Sequence, residues 1–225
     1  MKNSLDNPVW NALVSGNRHL AKGSERVKYF DKSVSPFAGL IDNSKANLLE
    51  LYEQSVADQP VLLWADQPLA LSKKWTVIDC IPGLQMIYDQ PTVQVYETTG
   101  ITSLTENDVP QMLALTKLTK PGPFGTRTIE FGNYEGIFEN GQLVAMTGQR
   151  FHCFDHIEIS AVCTHPDFLG KGYAKQLLLS QLTQIIANAK KPYLHVRADN
   201  ERAIYVYRAL GFSVRMPVYF YVIKK

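Results

Sequence analysis

The chain has 225 residues, 45% of them hydrophobic, and a formal charge of +2 at pH 7. That is enough apolar material to pack one large domain or two small ones. The near-neutral charge, with no long Lys/Arg run, excludes an electrostatic nucleic-acid footprint, and no apolar run reaches bilayer-spanning length.

In chain order, Pro8, Val9, Trp10, Leu13 and Val14 predict a short helix over 7–15 with Pro in its first turn. Residues 26–40 mix aromatics with Pro36 and Gly39 and read as extended or looped chain, whereas 44–57 has amphipathic helix spacing through Leu48, Leu51 and Tyr52. A short buried strand is expected over 61–64. The apolar stretch 75–88 should be broken by Pro82 and Gly83. Composition turns polar near residue 98, which marks a boundary, and Thr105 can cap a helix carrying Met112, Leu113, Leu115 and Leu118. The segment KPGPFGTR (120–127) is irregular loop, either a connector or the rim of a binding mouth.

From Tyr134 the pattern is an antiparallel meander: strands over 134–138, 142–153 and 156–163, with turns at 139–141 and 154–155. A glycine-bearing loop follows and opens a long helix with Leu177, Leu178, Leu182 and Ile185 on one face. Pro192 begins another strand. Asn200 caps a helix that Gly211 ends, and the chain closes on a last strand through Ile223.

Cys80, Cys153 and Cys163 are widely spaced, which points away from a disulfide framework and towards a reducing compartment. The opening MKNSLDNPVW lacks the apolar core of a signal peptide, so a cytoplasmic location is expected, with no membrane partner. His152, Cys153 and His156 bracket a turn but lack the spacing of a zinc site, and no metal is expected.

The stretch Ile157–Ala174 carries the chemistry. Alternation puts Ile157, Ile159, Ala161 and Cys163 on one strand face and Glu158, Ser160 and Val162 on the other. A glutamate inside an apolar strand is either salt-bridged or placed for proton transfer. Beyond it, a loop with Gly170, Lys171 and Gly172 leads into a helix start, where unpaired N–H groups and the helix dipole favour an anion such as pyrophosphate. The spacing is neither that of a nucleotide P-loop nor of a dinucleotide fingerprint.

These residues resemble the GNAT acyltransferase superfamily, in which a strand enters an [RQ]xxGx[GA] loop that binds the pyrophosphate of coenzyme A. Here the loop reads Leu169, Gly170, Lys171, Gly172, Tyr173 and Ala174, with Leu169 where the family has Arg or Gln. NERAIYVYRALGF matches the downstream NxxAxxxYxxxGF pattern at Asn200, Ala203, Tyr207, Gly211 and Phe212. The wording around 121–137 and 159–174 further resembles glycine N-acyltransferase-like proteins.

The resemblance implies an α/β fold: a GNAT-like, mixed and mostly antiparallel central sheet flanked by helices over 98–225, preceded by a smaller N-terminal α+β domain over 1–97 that helps shape the acceptor pocket. It implies an N-acetyltransferase using acetyl-CoA or another acyl-CoA as cosubstrate. The acceptor would be a primary amine on a small molecule, amino acid or peptide N-terminus, and the protein a monomer or homodimer. Glu158 would be the base, directly or through water, and Tyr207 the acid for the departing thiolate. Ala161, Val162 and Cys163 would bind the pantetheine and polarise the thioester, Asn200 would contact the cofactor, and Arg127, Glu130 and Tyr134 would face the acceptor. A non-catalytic acyl-CoA sensor or partner-binding module is the alternative of another class.

Overall fold

The computed structural model describes residues 3–90 and 100–225; the boundary near residue 98 lies outside them. The first segment holds α1 (Pro8–Val14), β1 (Ala21–Gly23), β2 (Val27–Phe30), β3 (Phe37–Leu40), α2 (Lys45–Gln54), β4 (Val61–Ala65) and β5 (Thr76–Tyr88). The second holds β6 (Ile101–Ser103), α3 (Val109–Thr119), β7 (Glu135–Glu139), β8 (Gln142–Cys153), β9 (His156–Thr164), α4 (Tyr173–Ala187), β10 (Lys191–Arg197), α5 (Glu201–Ala209) and β11 (Phe212–Lys224).

These strands form one 11-stranded sheet in the order β1-β2-β3-β4-β11-β5-β10-β9-β8-β7-β6. Only β3–β4 and β9–β10 pair in parallel, so the sheet is mixed and mostly antiparallel, as expected. β4 and β5 both pair with β11, which joins strands from either side of residue 98 into the same hydrogen-bonded sheet.

The 26–40 segment, read as extended or looped chain, contains two strands, and 75–88 is one strand rather than an interrupted one. The second is a departure with local causes. Pro82 lacks an N–H, but it lies just past the last paired residue towards β10, where its carbonyl still accepts from Ala198 N–H at 3.0 Å, so the strand continues past it. At Gly83 a Cβ would sit 2.9 Å from the Phe220 ring and 3.0 Å from the Val196 carbonyl, so only glycine fits between the flanking strands.

Strand alternation divides the core. On one face Tyr193, Phe151, Met146 and Cys163 pack with α1 and α3; on the other Ile157, Ile159, Leu194 and Val196 pack under α4 and α5. Leu178, Leu182 and Ile185 of α4 are fully buried, each contributing about 1.5–3 kcal/mol of hydrophobic stabilisation. A buried polar cluster also fixes α4: Glu135 accepts from Ser180 Oγ at 2.9 Å, Gln181 Nε2 at 2.8 Å and Gln184 Nε2 at 2.6 Å. The helix whose first turn faces the cleft is thereby held at mid-length.

Among the described residues no helix is long and apolar enough to cross a membrane.

Candidate functional site

Two irregularities in the β8–β9 hairpin build the site. Gln149 pairs with Ile159 and His152 with Ile157, so Arg150 and Phe151 together stand opposite Glu158. Further along, Gly148 pairs with Ser160 and Met146 with Cys163, so Ala161 and Val162 oppose Thr147, with Ala161 left-handed at φ 54°. Each is a β-bulge, and each re-aims a side chain. The second corrects the expected alternation: after Ala161 the parity reverses, so Cys163 shares the face of Glu158 and Ser160, while Val162 joins Ile157 and Ile159.

Parallel pairing between β9 and β10 ends at Tyr193 and Glu158, whereas β10 continues along β5 as far as Arg197. The strands therefore part, and a cleft of about 600 Å³ opens in the wedge. Its walls include Ala161, Val162 and Cys163 from β9, and His195 and Arg197 from β10. Its mouth is the loop before α4: Leu169, Gly170, Gly172, Tyr173 and Ala174 all line it. Gly170 and Gly172 have φ of +82° and +81°, a conformation that glycine adopts without strain. The first α4 bond runs from Gln176 N–H to Gly172 O at 3.0 Å, leaving the N–H groups ahead of it outside the helical ladder. Free N–H groups at a helix start are the geometry that an anion can use.

Lys171 is not part of the lining. Its Nζ lies 4.6 Å over the Phe168 ring, and Lys175, one turn on, borders the cleft instead. Leu169 is 46% exposed there, a bare apolar edge at the mouth of the cleft.

Asn200 lines the cleft and caps α5, its Oδ1 accepting from Ala203 N–H at 3.1 Å. Tyr207 also lines the cleft, and burial pushes its phenol up to about 12, so it keeps its proton at neutral pH. Burial likewise raises the Cys163 thiol to about 11, which removes it as a nucleophile.

Glu158 is fully buried and does not line the cleft. Arg150 Nε donates to its Oε2 at 2.9 Å and Arg150 Nη2 to its Oε1 at 2.7 Å, and His195 Nδ1 is 2.7 Å from Oε1. Burial alone would raise its pKa, but Arg150 and His195 outweigh that and hold it at about 2. This environment counts against direct proton removal by Glu158, because a carboxylate so stabilised is a feeble base.

On the far side of His195, Trp64 Nε1–H donates to Nε2 at 3.1 Å. An indole can only donate, so Nε2 accepts and the proton facing Glu158 sits on Nδ1. Gln85 Nε2 lies 3.2 Å from the same atom, while its Oε1 accepts from Arg215 at 2.7 Å. Strands from before residue 98 thus reach the site through Trp64 and Gln85.

Next to the cleft lies a small pocket of about 10 Å³, lined by Tyr134, Thr128, Phe124, Gly122 and Pro123 and sharing Pro121, Arg150, Ser160 and Ala161 with the main cleft. The Tyr134 ring lies against Gly148 so closely that a Cβ there would meet it at 2.3 Å. Arg127 and Glu130 do not reach either cavity. They pair with each other, Nη2 to Oε2 at 2.9 Å, at the foot of the 120–127 loop.

His152, Cys153 and His156 do not converge: the Cys153 thiol lies 3.0 Å from Pro8 O and 3.2 Å from Tyr193 OH. Among the described residues no group of three or more His, Cys, Asp or Glu could hold a metal ion.

Arg150, His195, Trp64 and Gln85 were not legible as site residues. Arg150 carried the same signal as Glu158, a charge within an apolar strand.

A strand wedge opening onto a glycine loop and a helix start defines the class, an α/β acetyltransferase fold. The FR47-like protein family matches residues 134–221. A solved structure from Novosphingobium aromaticivorans, described as a GNAT-family acetyltransferase, is 34% identical, with 100% of this chain and 99% of that one covered and a TM-score of 0.93. A Drosophila protein (15% identity, 87% and 73% covered, TM-score 0.64) and a GCN5-related N-acetyltransferase from Kribbella flavida (13%, 94% and 92%, 0.58) share the fold. No curated protein sequence matches the chain. The chain belongs to the GNAT family of acetyltransferases.

Proposed function

We propose that the chain transfers an acetyl or short acyl group from acyl-CoA to a primary amine by direct attack. The observation that carries this reading is the wedge between β9 and β10, running from the Gly170–Ala174 loop to the Tyr207 phenol. The pyrophosphate would take the N–H groups at the head of α4, and Asn200 would contact the same cosubstrate. The pantetheine would lie along Ala161–Cys163, whose edge no longer pairs with β10. Tyr207, protonated at neutral pH, would give its proton to the departing thiolate.

The weak basicity of Glu158 bears on the acceptor. Reaching the neutral amine at pH 7 costs about 4–5 kcal/mol for a lysine-like group but only about 1 kcal/mol for an α-amino group near pKa 8. An amino acid or peptide N-terminus is therefore the favoured acceptor, and Glu158 serves by holding Arg150 and His195. Residues 1–97 contribute Trp64 and Gln85 to the site's support, and Tyr134 is the expected acceptor-facing residue that borders the small pocket beside the cleft. Three free thiols suit a reducing, cytoplasmic setting.

Calorimetry with acetyl-CoA, followed by product detection across amino acids, polyamines and peptides, tests the reading. No binding at millimolar acetyl-CoA would refute it. The exposed Leu169 at the anion site supports a second reading, a non-catalytic acyl-CoA sensor; thermal stabilisation by CoA with no product from any amine would select it.

A further inference from the structure

We infer that Arg150 is a further catalytic residue, donating to the thioester carbonyl oxygen as it becomes an oxyanion. The inference rests on the acyl-transfer reading above.

Three observations carry it. First, the Arg150–Glu158 pair is oriented. Arg150 lines both pockets whereas Glu158 is 0% exposed and lines neither, so Arg150 is the member of the pair that the cleft meets. Negative charge forming in the cleft would meet the cation before the anion. Second, Glu158 engages Nε and Nη2, two of the five N–H donors a guanidinium carries, and so fixes the fork while other donors lie outside the pair. Arg150 is further held with its guanidinium carbon 4.6 Å from the Phe151 ring centroid and 5.1 Å from that of Phe37. Third, the small pocket shares Pro121, Arg150, Ser160 and Ala161 with the main cleft, so Arg150 stands where the two meet.

The step balances without a further reactant. The amine lone pair forms the C–N bond as the carbonyl π pair moves onto oxygen, where Arg150 meets the new charge. The carbonyl then reforms, the C–S bond breaks with its electron pair on sulfur, and sulfur takes a proton from Tyr207. The proton released from the new amide nitrogen passes to solvent, with which Tyr207 is re-protonated. The products are an amide and free CoA thiol.

The test reads the carbonyl directly. Acetyl-CoA labelled with ¹³C at the carbonyl is bound to the native protein, Arg150→Lys, Arg150→Gln and the double variant Arg150→Gln/Glu158→Gln. The double variant removes both charges, so no buried charge of the pair is orphaned. Affinity is measured by calorimetry and the C=O stretch by difference infrared spectroscopy. The native protein should lower the stretch relative to free acetyl-CoA. The double variant should bind with affinity within about threefold of native yet lose that shift, and kcat with a competent amine should fall about 10²–10³-fold. Arg150→Lys should fall between. A native-like stretch and kcat in the double variant would overturn the role, as would a loss of kcat with the stretch unchanged, the mark of a merely structural residue. Failure of the native protein to bind acetyl-CoA would appear in the calorimetry alone and would refute the function reading instead.

Discussion

His195 donates through Nδ1 to the Glu158 carboxylate at 2.7 Å, and the geometry that fixes this direction lies on the ring's other side, where Trp64 supplies a donor to Nε2. A residue of β4 thereby sets the tautomer of a residue of β10. Trp64→Phe removes that donor and leaves a buried acceptor with only Gln85 near it. A loss of about 1–2 kcal/mol is expected, visible as a lower urea midpoint at unchanged m-value.

The buried Glu158 carboxylate predicts an acid-labile component of stability. Folded, it takes a proton only near pH 2; unfolded, it does so near its ordinary value of 4.5. Between those values the unfolded chain binds more protons, so this contribution is complete above about pH 4.5 and is lost as pH falls towards 2. Its size is about 3 kcal/mol. Glu158→Gln should lack this pH dependence and, by leaving Arg150 buried without its anion, should cost about 3–5 kcal/mol at pH 7. Urea titrations from pH 7 to 3 on both proteins decide it.

Tyr207→Phe keeps the ring packed against Phe212 but deletes the proton. Turnover should drop about 10²–10⁴-fold while acetyl-CoA affinity stays within a few-fold of native. An unaltered kcat would remove Tyr207 from the chemistry.

Leu169→Arg should tighten CoA binding by about 0.5–1 kcal/mol, a modest gain because the position is exposed, and the gain should fade as salt rises. An unchanged dissociation constant at low salt would place the pyrophosphate elsewhere in the cleft.

How far the sequence reaches is clearest at Glu158 and Arg150. The glycine loop, the capped helix with Tyr207 and the three-strand meander could all be read, because each is a local pattern of spacing and turn chemistry. The partner of Glu158 could not. Counting back from the 154–155 turn pairs residue 150 with 159 and puts Arg150 and Glu158 on opposite faces; the bulge at Arg150 and Phe151 brings them together. No residue type announces that bulge. The bulge at Ala161 is equally silent, since a left-handed alanine has no sequence signature. Trp64 and Gln85 are more distant still, 131 and 110 residues from His195, beyond any periodicity argument.

The placement of β11 between β4 and β5 also says something about how the protein comes to exist. Thirteen residues near the far end of the chain fill a slot between two strands made much earlier, with a register running from Phe212 opposite Tyr88 to Lys224 opposite Thr76. Until Phe212–Lys224 has been synthesised, β4 and that flank of β5 are open edges carrying Leu63 and Met86 without their lateral neighbours. Such long-range closure is slow. A protein cut after Leu210 would lose the strand that joins β4 to β5, and with it the placement of Trp64 behind His195.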